Sequence, residues 1–248
     1  MMHLLIYFLL KNKGCASLER LQGSWKIHFD GSYMHRRTAI VIMVKYPRAG
    51  AVKTRLGMQV GMKKASELYC GFVMTLLATC RSTGFDTVIS CHPDHPVSDY
   101  LEWLGTGFSF MVQKGADLGN KMRDAFEQGF ALGYNRVILT GSDLPHLPAA
   151  TLDDAAKKVE TCDVVIGPAL DGGYYLVAMK QDRFFPEMFD DIPWSTPDVL
   201  NITLKKLAEG RRKHCLLTAM RDIDTLEDLT AVSAETGLFV NHNTGETI

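Results

Sequence analysis

Short apolar runs alternate with longer amphipathic segments along most of this chain. The run Ala39–Val44 is continuously apolar, as expected for a strand covered on both faces. The amphipathic segments have helical spacing, and in segment 118–132 the residues Met122, Phe126 and Phe130 fall on one face. Strands that alternate with helices predict a three-layer α/β/α fold with a mainly parallel, mixed sheet and right-handed crossovers.

These patterns predict six strands and six helices. The predicted strands are 39–44, 87–91, 108–112, 136–140, 164–167 and 174–178. The predicted helices are 63–81, 100–104, 118–132, 149–160, 197–208 and 226–236. In the fifth helix Pro197 suits the first helical position, where its missing N–H costs nothing.

One domain is expected from residue 38 to 240, since this region has no internal repeat, low-complexity run or Pro/Gly linker. Residues 1–37 lack clear periodicity, and we expect them to be an N-terminal extension outside the fold. Their apolar start, MMHLLIYFLL, is too short to span a bilayer and is a poor signal peptide. Residues 241–248 are expected to form a C-terminal tail.

The charge balance predicts no nucleic-acid or membrane partner. The chain has 27 Lys and Arg against 28 Asp and Glu, so no overall field favours a polyanion.

Six cysteines show neither C-x-x-C nor zinc-finger spacing. We therefore expect reduced thiols in a cytoplasmic protein.

A basic stretch, VKYPRAGAVKTRL at 44–56, follows the first apolar strand. Its cations are Lys45, Arg48, Lys53 and Arg55. In α/β folds ligands bind outside the carboxyl ends of the strands, where this loop would lie. A di- or triphosphate suits cations that converge on such a loop, although the stretch is not a Walker A motif. The alternative is a solvated basic loop.

Two later segments of the chain contain candidate metal-binding carboxylates. Asp143 lies in GSDLP after the predicted strand 136–140, and Asp224 lies in RDIDTLEDL before the last helix. Two such carboxylates beside a polyphosphate are typical ligands of Mg²⁺. The alternatives are a turn role for Asp143 and, in the later segment, Asp224 or Thr225 as the N-cap of the last helix, and capping does not exclude metal binding.

Three further segments contain candidate binding residues. In GPALDGGYYL, Asp171 could bind an acceptor or act as a base, or the D-G pair could simply form a hairpin turn. In QKGADLGNKM, Gln113 or Lys114 could contact a base or ribose, and Asp117 could cap a helix. In IPWST, Trp194 is either a core or lid residue or a binding residue.

In this order along the chain, six segments resemble the radical-SAM/selenodomain-associated transferase family. That family has been catalogued as a domain of unknown function and is often labelled a glycosyltransferase. The segments are VKYPRAGAVKTRL, QKGADLGNKM, TGSDLPHLPAATL, VVIGPALDGGYYLV, IPWSTPDVL and DIDTLEDL. The resemblance covers about Ala39 to Leu229.

The family is similar in turn to the nucleotide-diphospho-sugar transferase (glycosyltransferase type A) superfamily, which implies that fold. KTRL and SDLP look like the corresponding pieces of 2-phospho-lactate guanylyltransferases. By this resemblance Lys45, Lys53 and Arg55 would hold phosphates, while Asp143 and Asp224 would hold Mg²⁺ or Mn²⁺. The chain departs from these relatives in lacking the Gly-rich L-A-G-G-x-G-x-R loop, and its DGGYY segment differs.

Together these features predict a Mg²⁺-dependent transferase that moves a sugar or nucleotidyl group from a nucleoside triphosphate or nucleotide sugar to a small-molecule acceptor. The alternative is a non-catalytic nucleotide sensor, and a homodimer is compatible with the sequence. The predicted catalytic residues are Lys53, Asp143 and Asp171. The predicted nucleotide-binding residues are Lys45, Lys53, Arg55, Gln113 and Asp117. The predicted acceptor-binding residues are Gly172, Gly173, Tyr174 and Trp194.

Overall fold

The computed structural model of this chain describes residues 37–239 in full and two earlier segments by their backbone. Those segments are the strands β1 (Ala16–Leu21) and β2 (Ser24–Phe29). They pair antiparallel in a two-stranded sheet of their own, with Ala16 opposite Phe29. The prediction that residues 1–37 lie outside the fold stays a prediction, and the predicted tail 241–248 falls outside the described residues.

The described main body contains seven strands and seven α-helices. The strands are β3 (Thr38–Val44), β4 (Asp86–Cys91), β5 (Ser109–Val112), β6 (Arg136–Thr140), β7 (Val164–Pro168), β8 (Tyr174–Lys180) and β9 (His214–Leu216). The helices are α1 (Thr54–Val60), α2 (Met62–Ser82), α3 (Val97–Leu104), α4 (Leu118–Ala131), α5 (Ala149–Lys158), α6 (Val199–Glu209) and α7 (Leu226–Thr236). Two 3₁₀ turns, Gln181–Arg183 and Pro186–Phe189, follow β8.

The seven strands form one mixed sheet in the order β5-β4-β3-β6-β8-β7-β9. β8 is antiparallel to both of its neighbours, and the other neighbouring pairs are parallel. The carboxyl ends of β3, β4, β5 and β6 therefore meet at one edge of the sheet. This edge is where a ligand is expected in a parallel α/β sheet.

Alternation along β3 shows why the fold has three layers. Ile40, Ile42 and Val44 face a core that includes Tyr69 and Leu76 of α2. The intervening residues Ala39 and Val41 face a second core, on the opposite side of the sheet, that contains Phe126 and Phe130 of α4. Both faces of the strand are fully buried, which explains its continuous apolar run.

The predicted three-layer fold with a mainly parallel mixed sheet is confirmed. The strands β1 and β2 were not predicted, and in the main body neither were the short helix α1 and the edge strand β9. The prediction that Pro197 begins a helix is wrong, because α6 begins at Val199 with Asp198 at its N-cap. Pro197 instead belongs to the preceding loop, in which Ser195 has a positive φ of 66°.

The expectation that every cysteine is a free thiol is wrong for Cys162 and Cys215, which form a disulfide. Cys215 lies on β9 and Cys162 just before β7, and these two strands are parallel neighbours. Their Cα atoms are 6.0 Å apart although 53 residues separate them along the chain. Sequence spacing gives no sign of this proximity, which depends on the strand order.

Among the residues that the structure describes, no helix combines the length and apolar character needed to cross a bilayer.

Candidate active site

A cavity of about 640 Å³ opens at the carboxyl ends of the parallel strands. Its walls come from the loops after β3, β4, β5 and β6, from the first turn of α4, and from the segments around 171–177 and 194–199. It brings together most of the predicted site residues. Those that line it are Lys45, Lys53, Arg55, Gln113, Asp117, Asp143, Asp171, Gly173, Tyr174, Trp194 and Asp224.

Lys53 forms salt bridges with both predicted metal ligands, Asp143 and Asp224. Its Nζ lies 2.6 Å from Asp143 Oδ1 and 2.9 Å from Asp224 Oδ1. The lysine side chain is only 4% exposed, whereas those of Asp143 and Asp224 are 46% and 41% exposed. Burial alone would lower the lysine pKa, but the two carboxylates outweigh it and raise the pKa above its ordinary value. Lys53 is therefore a fixed cation at physiological pH.

The backbone conformation of Lys53 helps to direct its side chain. The residue is the N-cap of α1 and is left-handed, with φ 46° and ψ 47°. Few non-glycine residues adopt this region, and they persist there when surrounding contacts hold them. Here the Lys53 carbonyl accepts from Gly57 N, and the ammonium is held by two carboxylates. Arg55, two residues later, is largely exposed and lies 3.6 Å from Asp224 Oδ2.

Asp143 and Asp224 meet because their backbones are neighbours. Ile223 N donates to the Asp143 carbonyl at 3.2 Å, which fastens the segment before α7 to the loop after β6. Ile223 is fully buried in a small core with Leu56 and Leu229. The residues on either side of Ile223 line the cavity. Asp224 is not the cap of α7, because Thr225 is the N-cap and forms a capping box with Asp228.

Asp222 is a site residue that the sequence analysis missed. It lines the cavity, and its Oδ1 is buried with no hydrogen-bond partner. Burial, together with the negative charges of Asp143 and Asp171, raises its pKa to about 7. The D-I-D spacing was a usable signal, since an apolar residue between two acids is typical of an extended segment with its acids on one side.

The residues present fit a divalent cation only in part. In the described portion of the chain, no three His, Cys, Asp or Glu side chains are arranged to hold a metal by themselves. Asp143 and Asp224 supply oxygen ligands near the unpartnered Asp222 oxygen, which is the donor chemistry Mg²⁺ prefers. Mg²⁺ is commonly held by one or two carboxylates, with phosphate oxygens and water completing its shell. These residues fit a cation that arrives together with a phosphate ligand.

Tyr69 is a second residue that the sequence analysis missed. It projects from α2, is 3% exposed, and accepts a hydrogen bond from Lys45 N at 3.0 Å. Its hydroxyl is also 2.9 Å from Ser142 Oγ. One hydroxyl therefore links the start of the basic loop to the residue before Asp143. A lone tyrosine in an amphipathic helix gave no sign of this role.

The Asp171 segment forms the hairpin turn between β7 and β8. Asp171 Oδ1 accepts from Gly173 N at 2.9 Å, and Ala169 N donates to the Gly173 carbonyl. Asp171 and Gly173 line the cavity, so the turn also contributes to the site. Gly172 does not line it. A Cβ on Gly172 would lie 2.2 Å from the carbonyl oxygen of Pro197, so this glycine permits close packing of two loops.

Trp194 and Tyr174 form an aromatic wall of the cavity. Their rings meet edge to face with centroids 6.1 Å apart. Trp194 also covers Gly119, where a Cβ would lie 2.7 Å from the indole ring. The Tyr174 hydroxyl is buried, and burial raises its pKa.

Gln113 and Asp117 both line the cavity but have structural partners. Gln113 is 5% exposed and its Nε2 donates to the Ser90 carbonyl at 2.7 Å. Asp117 is the N-cap of α4 and accepts from Asn120 N at 2.7 Å, as the sequence predicted for a cap. Hydrogen bonds from the backbone and the side chain of Asn120 lower the pKa of Asp117. Nucleotide contacts by either residue stay a prediction.

Comparisons with known proteins place the chain in a family. Residues 75–196 match the profile described as "Uncharacterized protein conserved in bacteria (DUF2064)". A crystal structure from Desulfovibrio desulfuricans G20, provisionally assigned as a nucleotide-diphospho-sugar transferase, has 37% sequence identity and a TM-score of 0.77. The alignment covers 85% of this chain and 91% of that one. The chain belongs to the DUF2064 family. No curated protein sequence gives a significant match.

More distant structures share the fold of this DUF2064 protein. CMP:2-keto-3-deoxy-manno-octonic acid synthetase in complex with CTP has a TM-score of 0.53 at 11% identity, covering 81% of this chain and 98% of that one. The inositol-1-phosphate CTP transferase of T. maritima has a TM-score of 0.52 at 16% identity, covering 80% and 97%. At these identities the likeness concerns the fold alone, which is nucleotide-diphospho-sugar transferase-like.

Proposed function

We propose that this DUF2064 protein is a Mg²⁺-dependent transferase that moves a sugar or nucleotidyl group from a nucleotide donor to a small-molecule acceptor. The observation that carries the proposal is the Lys53 ammonium held between Asp143 and Asp224, 2.6 and 2.9 Å away, in a cavity of about 640 Å³. The cavity lies at the carboxyl ends of the strands, where such folds bind ligands.

The donor end of the site combines cations with carboxylates. Lys53 and Arg55 neutralise phosphate oxygens in the proposal, and Asp143 and Asp224 hold the divalent cation. When bound, Mg²⁺ would supply charge neutralisation at phosphate oxygens of the donor. Lys53 then stabilises the charge that develops on the leaving pyrophosphate or nucleoside diphosphate. Its fixed, buried position means that little reorganisation is needed during the reaction.

The acceptor end lies beside the hairpin turn and the aromatic wall. Asp171 accepts the proton of the attacking acceptor group in the proposal, and Gly173, Tyr174 and Trp194 position the acceptor. Asp171 Oδ1 accepts a hydrogen bond from Gly173 N, which orients the exposed carboxylate. The bond that breaks is either the one between the α- and β-phosphates of a triphosphate or the bond from the sugar C1 to phosphate.

The relatives support nucleotide chemistry. The D. desulfuricans protein is provisionally assigned as a nucleotide-diphospho-sugar transferase, and the two distant structures are a synthetase bound to CTP and a CTP transferase. The resemblance of KTRL and SDLP to 2-phospho-lactate guanylyltransferases points the same way for Lys53 and Asp143. Neither set of relatives identifies the base, the sugar or the acceptor.

A thermal-shift panel tests the proposal most economically. Nucleoside triphosphates and nucleotide sugars are each compared with and without Mg²⁺, since a ligand of the native state raises the apparent Tm. The best ligand is then incubated with candidate acceptors and assayed for pyrophosphate and for nucleoside diphosphate. Pyrophosphate release indicates nucleotidyl transfer, and nucleoside diphosphate release indicates glycosyl transfer. Tight binding without either product would instead support the nucleotide sensor, and no Mg²⁺-dependent shift for any nucleotide would overturn the proposal.

A further inference from the structure

Three of the four cations of the basic stretch, Lys45, Lys53 and Arg55, line the cavity. Lys53 and Arg55 lie beside Asp143 and Asp224, as described above. Lys45 lines the same cavity and is exposed, but no carboxylate oxygen of the described residues lies within 4 Å of its ammonium. The sequence treated these lysines as one cluster, whereas the structure gives them different electrostatic surroundings.

Strand register brings His92 beside Lys45. Val44, the last residue of β3, pairs with Cys91, the last residue of β4. His92 N then donates to the Val44 carbonyl at 2.9 Å, which extends the pairing by one step. The two residues that follow the paired strands therefore leave the sheet side by side, and both line the cavity.

Lys121 reaches the same place from helix α4. Its Nζ lies 3.2 Å from His92 Nε2, and it too lines the cavity. Within the described chain, no carboxylate lies within 4 Å of this ammonium either. Burial lowers the pKa of His92, and the positive charges of Lys121 and Lys45 lower it further. The other ring nitrogen of His92, Nδ1, is 3.1 Å from an Asp94 carboxylate oxygen.

Asp117 and Asp94, the acidic residues beside Lys121 and His92, each have a partner other than a lysine. Asp117 accepts from Asn120 as the cap of α4, and Asp94 faces His92 and has a side chain that is 66% exposed. Two ammonium groups thus face a shared cavity without an acid of their own. Two neighbouring ammonium groups favour an anion with several oxygens, such as an oligophosphate.

We propose that Lys45, His92 and Lys121 form an oligophosphate subsite for the terminal phosphates of a nucleoside triphosphate donor. This inference rests on the proposed function, because it divides the donor site into a cationic end and a carboxylate end. Lys45 and Lys121 act as point charges on phosphate oxygens, and His92, whose Nε2 lies 3.2 Å from Lys121 Nζ, holds Lys121 in place. The subsite would take the phosphates farthest from the transferred group, beyond those that Asp143 and Asp224 would bind through a cation.

Isothermal titration with inorganic tripolyphosphate, in the absence of divalent cations, tests the subsite without requiring turnover. Single substitutions Lys45→Gln and Lys121→Gln should each weaken binding about tenfold or more, as expected for loss of one charged contact. Lys121→Arg, which keeps the cation, should restore most of the affinity. Lys64→Gln makes the same charge change on an exposed residue of α2 and should bind as wild type.

The outcomes separate the subsite from the proposed function. Nucleotide turnover with tripolyphosphate affinity unchanged in Lys45→Gln and Lys121→Gln would overturn the subsite and leave the proposed function standing. Loss of tripolyphosphate binding in both variants, with no nucleotide bound in the thermal-shift panel, would support the anion subsite and count against the proposed function alone. Wild-type protein that binds no tripolyphosphate, or equal losses in Lys64→Gln, would contradict the subsite.

Discussion

The Lys53 ammonium and the Asp143 carboxylate lie 2.6 Å apart, and the same ammonium is 2.9 Å from Asp224. A nearly buried lysine thus neutralises two partly exposed carboxylates that would otherwise repel each other. In the proposed reaction the arriving phosphate competes for Lys53, and the cation that accompanies the phosphate competes for the carboxylates. Ligand binding and rearrangement of this ion pair are therefore coupled.

Replacing Lys53 by Gln should reduce turnover on the order of 10²-fold or more, because one preorganised charge is lost from the leaving group. Steady-state kinetics with the donor identified by the thermal-shift panel measure the effect. Lys64→Gln is the matched control, since Lys64 is exposed on α2 and outside the cavity. Turnover in Lys53→Gln within a factor of two of wild type would exclude a direct role for the ammonium.

Tyr69→Phe should lower kcat about tenfold while costing about 1–2 kcal/mol in unfolding free energy. The ring keeps its packing, but the links to Lys45 N and Ser142 are lost and both walls of the donor site can shift. Chemical denaturation and kinetics are measured together. Tyr134→Phe serves as a control at the amino end of β6, where a buried tyrosine hydroxyl is remote from the cavity. Equal kinetic losses in both variants would contradict a positioning role.

Gly172→Ala should destabilise the protein by about 1–3 kcal/mol more than Gly133→Ala does. Both glycines have positive φ, 93° and 86°, so the backbone cost is similar. Only at Gly172 would the new Cβ collide with Pro197, whereas nothing lies within 4 Å at Gly133. Urea unfolding of the two variants gives the difference directly. Equal unfolding free energies of the two variants would contradict the prediction, because they would mean that the loop at Pro197 moves aside without destabilising the protein.

Asp222→Asn should stabilise the metal-free protein at pH 8. With a native pKa of about 7, well above its ordinary value, Asp222 loses its proton more readily in the unfolded chain. Wild-type stability should therefore fall as pH rises between about 4 and 7 from this group, and the variant should lack that decline. A pKa raised by about three units corresponds to a gain of up to about 4 kcal/mol at pH 8, and little gain is expected at pH 4. Urea unfolding in EDTA at both pH values measures it, and a gain independent of pH would contradict this reading.

The layers and most of the cavity could be predicted because they depend on local patterns. Continuous apolar runs such as Ala39–Val44 identify buried strands, and polar residues after them identify the binding edge. Lys53 and Asp143 were found this way, whereas Asp224 came from the acidic segment before the last helix; the structure brings Lys53 within ion-pair distance of both carboxylates.

Other features depend on strand order, register or burial, which single-sequence patterns do not contain. The Cys162–Cys215 disulfide requires β7 and β9 to be neighbours, and β9 is too short to be recognised. His92 and Lys121 meet only through the register of β3 with β4 and the direction of α4. Lys45 and Lys53 are close in sequence but have different neighbours in the structure. His92 and Lys121 are distant in sequence but lie in contact.

The central claim is that Asp143 supports metal-dependent group transfer from a nucleotide. Its most direct test is the rate of Mg²⁺-dependent pyrophosphate or nucleoside diphosphate release by Asp143→Ala, compared with wild type and with the exposed Asp182→Ala. The account predicts a loss on the order of 10²-fold or more in Asp143→Ala and none in the control. Wild-type release rates in Asp143→Ala would contradict it.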